Sequence, residues 1–385
     1  MTASQSPAGH LLSQRLQTLA AFEPSPLPVI SLYLNLAPSQ HGRDDYDAFV
    51  RKVIPERIKG LPQPSAERDS VECDQERIRT YLDQDVMQSA NGLAIFACAG
   101  ADLFDTIQLD APLDEHALFI GSVPHLYPLA RILGTYPRYA AVLLDTNKAR
   151  IFVCGLAATE RTEQVTGVKT RRHSQGGWSQ ARYQRHIDNF HLQHVKEVID
   201  TLEAIVRDEA LEHIVAAGSA EALRLLRENL PAHLAAKLDR TMKLSATASV
   251  AEVLQATLAS LQEKDAETDT ERVEDLMNAW RSGGLGVAGP EATMRALQLG
   301  QVDELIITGT PETLKPMQRI PNEAALGTLQ VDTSSPQGPG DEQALQLSDV
   351  LVTRAQQTSA RIRFIENAEL LAGIGGVGAL LRFRI

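Results

Sequence analysis

Gly176 and Gly177 run directly into Trp178-Ser179-Gln180-Ala181-Arg182-Tyr183-Gln184-Arg185. A glycine pair has no Cβ, so its backbone takes positive φ and lies close against another molecule, which a substituted residue does only at a cost. Around the pair, Lys169, Arg171, Arg172, Arg182, Arg185 and Lys196 stand against a single acid, Asp188. This gives a local formal charge of +5 in a chain of −12. Such an island suits a polyanion such as RNA. The competing reading is a solvated loop followed by an exposed helix face, the common fate of a charge run. His186, His191 and His194 suggest metal chemistry, because residues three to five apart can share a helix face. They lack a His-Glu-x-x-His pattern and a nearby carboxylate or thiolate to complete a shell, so no metal and no cofactor is expected.

A rigid element must carry that loop. Ile187, His191, Val195, Val198, Leu202 and Ile205 recur every three to four residues, which predicts a long helix with one buried face and makes His191 a core histidine. Before the loop, Tyr139–Asp145 and Ala149–Gly155 are apolar runs around Thr146-Asn147-Lys148, a hairpin signal. After the helix, Leu211–Ser219 reads as a strand that ends at a glycine turn, with a helix from about Ala220. Gly218 and Ser219 could hold an anion there, but helix capping alone accounts for them.

The flanking parts read as further mixed structure. Leu11, Leu12, Leu16 and Leu19 have helical spacing, and Val29–Leu36 is a buried strand. Helices are expected near 44–59 and 67–88, and strands at Gly92–Cys98 and Leu103–Leu109. Glu263, Asp265, Glu267, Asp269 and Glu271 form a loosely patterned acidic stretch that reads as a join between domains. Beyond it, Gly283–Pro290 is glycine-rich but fits neither dinucleotide nor Walker spacing, so a phosphate cradle is rejected. Glu291–Leu299 reads as a helix, Val302–Thr308 as a strand, and Thr333–Gly340 as a flexible loop by composition.

With 385 residues the chain is too long for one ordinary core. Its 43% hydrophobic and 22% charged residues are those of a globular protein. No stretch reaches the ~18 apolar residues of a membrane span, and the polar start, Met1 to His10, lacks a signal sequence, so a cytoplasmic location is expected. Cys73, Cys98 and Cys154 form no disulfide framework. Cys98 and Cys154 lie in apolar runs and read as small buried hydrophobes.

The segment 176–185 resembles the loop of archaeal and eukaryotic class-1 peptide release factors, which carries Gly-Gly-Gln and then Ser-x-x-Arg-Phe-x-Arg. Ser179, Arg182 and Arg185 match, and Tyr183 stands for Phe. Trp178 occupies the glutamine position, and Gln180 follows two residues later. Gly177-Trp178-Ser179-Gln180 is therefore similar to the Gly-x-x-Gln pattern of Vms/ANKZF-type peptidyl-tRNA hydrolases. Ala296–Ile307 and Gly373–Phe383 resemble the release-factor C-terminal domain, and the element order of the first domain resembles that family's N-terminal domain. Where that N-terminal domain carries an Asn-Ile-Lys-Ser stop-codon reader, Leu61 to Ser70 contains no such motif.

The resemblance implies an α/β (α+β) protein of three domains, each a mixed sheet packed with helices: 1–128, 129–265 with the loop and long helix, and 266–385 as an α/β sandwich. It implies a ribosome partner, entered at the A site and contacted through rRNA and peptidyl-tRNA, with a translational GTPase as a possible partner of the C-terminal domain. Hydrolysis of the peptidyl-tRNA ester needs a located water and donors for the developing oxyanion. On this resemblance Gln180 places the water, Gly176 and Gly177 shape the loop, and Arg171, Arg172, Ser179, Arg182 and Arg185 hold RNA. Trp178 either stacks on a base or anchors the loop on its own domain. The alternative is a ribosome-hibernation factor resembling Balon, which occupies the same site without hydrolysis. Nuclease action lacks a paired-carboxylate metal site in the loop.

Overall fold

The computed structural model describes residues 8–37, 46–87, 90–156, 158–166, 180–317, 329–334 and 341–384. Residues 8–10 with 136–267 form one compact unit, and residues 11–135 with 268–385 form the other. The expected domains 1–128 and 266–385 thus contribute to a single unit that contains two sheets.

In chain order the larger unit begins with α1 (Ala8–Ala20), β1 (Val29–Asn35), α2 (Tyr46–Gly60), α3 (Ala66–Gln84), β2 (Gly92–Cys98), β3 (Leu103–Leu109), β4 (Ala117–Gly121) and α4 (Tyr127–Thr135). β1 lies between β2 and β4, antiparallel to both. Every second residue of β1 (Ile30, Leu32, Leu34) faces Val53 and Ile54 of α2 and Val71 and Ile78 of α3 in one buried cluster. The link between α2 and α3 is short, and Ser65 caps α3 by accepting from the Arg68 N–H.

The smaller unit holds β5 (Tyr139–Leu144), β6 (Lys148–Gly155), β7 (Ala158–Thr166), α5 (Gln180–Asp208), β8 (His213–Gly218), α6 (Ala220–Asn229), α7 (Ala232–Ala235) and β9 (Leu238–Lys243). Its sheet runs β7-β6-β5-β8-β9, with β5, β8 and β9 parallel. Alternation along β5 sorts the two faces. Ala140, Val142 and Leu144 pack with α5 and α6. Tyr139, Ala141 and Leu143 pack with Val253 and Leu261, which belong to α8 (Val250–Arg281).

The rest of the larger unit contains β10 (Gly286–Ala288), α9 (Pro290–Gln298), β11 (Val302–Thr308), β12 (Gln330–Thr333), α10 (Asp341–Gln357), β13 (Arg361–Ile365), α11 (Glu369–Ala372) and β14 (Val377–Leu381). Its sheet runs β10-β14-β11-β13, with β11 and β13 parallel. β12 does not join it. It pairs antiparallel with β4 instead, closing the far edge of the first sheet. Arg57 holds it there, through Nε to Asp332 Oδ2 at 2.6 Å and Nη2 to the Val331 carbonyl at 2.8 Å. A second tie is Asp349 of α10, whose Oδ1 accepts from the Leu126 and Tyr127 N–H groups at 2.5 and 3.1 Å. Burial pushes its carboxyl up to about 7, and burial pushes the neighbouring His125 imidazole down to about 3.

The acidic stretch 263–271, expected as a loose join, is instead the middle of α8. Acids four apart, such as Glu263, Glu267 and Glu271, share a helix face, and several have partners. Glu267 pairs with Arg240, and Asp269 with Arg363 at 3.0 Å. Paired in this way, the acids do not interrupt the helix. Cys98 and Cys154 are buried free thiols, as expected. The proposed flexible segment Thr333–Gly340 lies largely outside the described residues.

Candidate loop-bearing helix

The sheet of the smaller unit determines where α5 can point. β7 runs parallel to β5, because both are antiparallel to β6, and its last residue, Thr166, pairs with Lys148 beside the β5–β6 turn. The chain therefore leaves β7 at the edge where β5, β8 and β9 also end. α5 starts at Gln180 and returns along the sheet. Val195, Val198, Ile199, Leu202, Ile205 and Val206 form its buried stripe. Those twelve positions span about 18 Å of helix, close to the ~20 Å of a six-residue strand. The stripe thus occupies the whole strand length, and the earlier residues of α5 extend past the strand ends.

Two histidines mark the crossing point. His191 is buried, with Nδ1 3.3 Å from Glu221 Oε1 in the first turn of α6. His194 is buried beside the Asp145–Lys148 turn, and burial lowers its pKa so that the ring stays neutral. Neither of its ring nitrogens has a hydrogen bond of good geometry. The expectation that His191 serves the core holds. Among the described residues no group of three His, Cys, Asp or Glu side chains is arranged to hold a metal.

From Gln180 to His194 is fourteen residues, or about 21 Å of helix at 1.5 Å per residue. Gln180 is the first residue of α5, and Arg182 and Arg185 lie in its first two turns. Gly176, Gly177, Arg171, Arg172, Trp178 and Ser179 lie outside the described residues. Residues 167–179 are thus joined to the sheet by β7 on one side and by the long helix α5 on the other. Lys196, on the sheet-packed part of α5, is exposed.

At the same edge, β8 ends in Gly218, whose φ is 149°, and a Cβ there would meet the Leu144 carbonyl oxygen at 1.9 Å. Glycine is therefore required for β5 and β8 to approach closely where the chain turns. Ser219 then caps α6 by accepting from the Ala222 N–H, which supports the capping reading of this pair. Glu221 as the partner of His191 was not legible from spacing, because the two are thirty positions apart.

Residues 124–262 match the family model described as Bacterial archaeo-eukaryotic release factor family 10. Residues 266–385 match eRF1 domain 3. Solved structures with similarity include the archaeal translation termination factor aRF1 (15% identity, 97% of this chain and 98% of that chain, TM-score 0.26). Archaeoglobus fulgidus Pelota is 13% identical over 76% of this chain and 80% of its own, with a TM-score of 0.34. S. cerevisiae Dom34, a translation termination-like factor described as interacting with Hbs1, is 10% identical over 76% and 79%, with a TM-score of 0.40. Among the described residues no helix is long and apolar enough to cross a membrane.

Proposed function

This chain is a bacterial archaeo-eukaryotic release factor-like protein, and from that premise we propose that it binds the ribosomal A site and hydrolyses peptidyl-tRNA on stalled ribosomes without reading a codon. The observation that carries the proposal is the placement of Gln180 as the first residue of α5, within the segment matched to family 10. A helix that begins at Gln180, about 21 Å along its axis from His194, gives a glycine loop a stiff carrier into a narrow site. In the reaction, water attacks the ester carbonyl that joins the peptide to the tRNA ribose. The acyl–oxygen bond breaks, the peptide leaves as a carboxylic acid, and the ribose oxygen takes a proton.

Gln180 is assigned to placing the water, and Gly176 and Gly177 to letting the backbone approach. Arg171, Arg172, Arg182 and Arg185 are assigned to RNA phosphates, with Ser179 and Trp178 beside them. Phosphate contacts fix orientation without reading sequence. The short α2–α3 link, which lacks an Asn-Ile-Lys-Ser reader, supports codon independence. A translational GTPase is the proposed partner of residues 266–385. The replacement of the family glutamine by Trp178 favours one other reading, A-site occupation without hydrolysis in an idle ribosome.

The deciding experiment incubates purified protein with stalled ribosome–nascent-chain complexes and follows peptide release and tRNA integrity, with a stop or a sense codon in the A site. Release at equal rates for both codons is expected, with intact tRNA. Gln180→Ala should lower release by about 10²–10³-fold, the scale for losing one positioned polar group, with ribosome binding within about twofold of wild type. Unimpaired release by Gln180→Ala refutes its assignment. No release by wild type, with binding retained, establishes the occupancy reading instead.

A further inference from the structure

β9 is the last strand of its sheet and is hydrogen-bonded to β8 alone. A cavity of about 440 Å³ opens between it and α6. Ala220 and Leu223 of α6 make its apolar floor, Thr241 and Met242 of β9 line it from the sheet side, and Arg224, Arg227 and Lys243 stand around it; the Met242 side chain itself packs on the α8 face of the sheet. Glu228 neutralises Arg224 through two oxygens at 2.8 Å. Arg227 and Lys243 are exposed, and neither has an ion-pair partner among the described residues.

Two uncompensated cations over an apolar floor fit a ligand that is anionic at one end and flat or greasy at the other. A nucleotide has that character, with phosphate for the cations and sugar and base for the floor. The volume lies within the ~300–1,000 Å³ of small-ligand clefts. A bare inorganic anion would gain nothing from Leu223. An acidic peptide added as a strand along β9 is disfavoured by two charged residues of that strand, Asp239 and Arg240, which are both engaged by α8 through Lys264 and Glu267; charges on an edge strand oppose strand addition.

We propose that the α6–β9 groove binds one nucleotide of single-stranded RNA, its phosphate held by Arg227 and Lys243. The proposal rests on the ribosome reading only for which RNA is met there. The groove and α5 share a helix, since Glu221 at the start of α6 contacts His191 of α5. One RNA strand could therefore be held at both places.

The test measures anisotropy of a fluorescent eight-nucleotide oligouridine, and separately of a fluorescent oligoglutamate peptide, with wild type and with Arg227→Ala/Lys243→Ala. The double variant should bind the RNA about tenfold more weakly. Its slope of log affinity against log salt should be shallower by about 0.7, for the one phosphate no longer neutralised on a single strand, while its melting temperature stays unchanged. Equal RNA affinity in both proteins, or no RNA binding by wild type, overturns the proposal. Loss of peptide binding with RNA binding intact also overturns it and assigns the groove to an acidic peptide. The assay contains no ribosome, so failure of wild type to sediment with ribosomes would refute the release-factor reading separately.

Discussion

α5 and α8 are close in length, 29 and 32 residues, yet they are anchored differently. α5 has its described core contacts in the stretch Val195–Val206, and its first fourteen residues, with Arg182 and Arg185, precede the sheet crossing. α8 is anchored along its length, by Val253 and Leu261 in the smaller unit and by Val273 and Leu276 in the larger. Its charges are also used within the fold. Lys264 pairs with Asp239, Glu267 with Arg240, and Arg272 with Glu304, which Arg363 also contacts at 3.3 Å. The two runs look equally conspicuous in sequence. The charges of α8 are neutralised within the fold, and the test of the comparison is whether those at the start of α5 serve a ligand instead.

The largest effect should come from the anchored half of α5. Leu202 is fully buried against the sheet, and Leu202→Ala should cost about 2–5 kcal/mol, read by urea unfolding; a cost under 1 kcal/mol would mean that α5 is held elsewhere. Next comes the N-terminal half of α5. Arg182→Glu with Arg185→Glu should weaken ribosome co-sedimentation at low salt at least tenfold and leave melting unchanged, because two phosphate contacts become repulsions. The matching reversal on α8, Glu263→Lys with Glu271→Lys, should leave co-sedimentation within about twofold. Equal responses from the two helices would break the distinction between them.

A smaller effect is expected within the α8 network. Glu304 is buried and accepts from both Arg272 and Arg363, so Glu304→Gln should cost about 1–3 kcal/mol without altering RNA affinity. Smallest is a pH effect at the other end of the network. The hydrogen bond to Asp239 raises the His213 pKa above its ordinary value, so the protonated ring favours the folded state. That contribution is complete below about pH 6.5, the unfolded value, and is lost as pH rises through the folded pKa. His213→Gln should flatten the fall in melting temperature over that range; an unchanged profile would remove His213 from the network.

Much of this was legible in sequence wherever one element's own periodicity decided its fate. The stripe of α5, the β5–β6 hairpin and the β8–α6 turn all follow from local pattern. α8 was not legible, because acids at every second position hide a helix whose support comes from Arg240 and Arg363, distant in sequence. β9 has no clean alternation, since it is a polar edge strand, and β4 and β12 left no signal that they would pair. At the candidate site, the long helix after the glycine pair followed from apolar spacing that begins at Ile187, which did not fix Gln180 as its first residue. The groove beside α6 did not, because its two cations come from elements sixteen positions apart.

The pairing of β12 with β4 has a consequence for synthesis. More than 200 residues separate Gly121 from Gln330, and a ribosome adds about 5–20 residues per second. The first sheet therefore waits roughly 10–40 s with the edge of β4 unpaired, and an open strand edge is a template for pairing with other chains. A nascent chain stopped within that interval would expose this edge, and Arg57 would lack the Asp332 carboxylate that it holds in the finished protein.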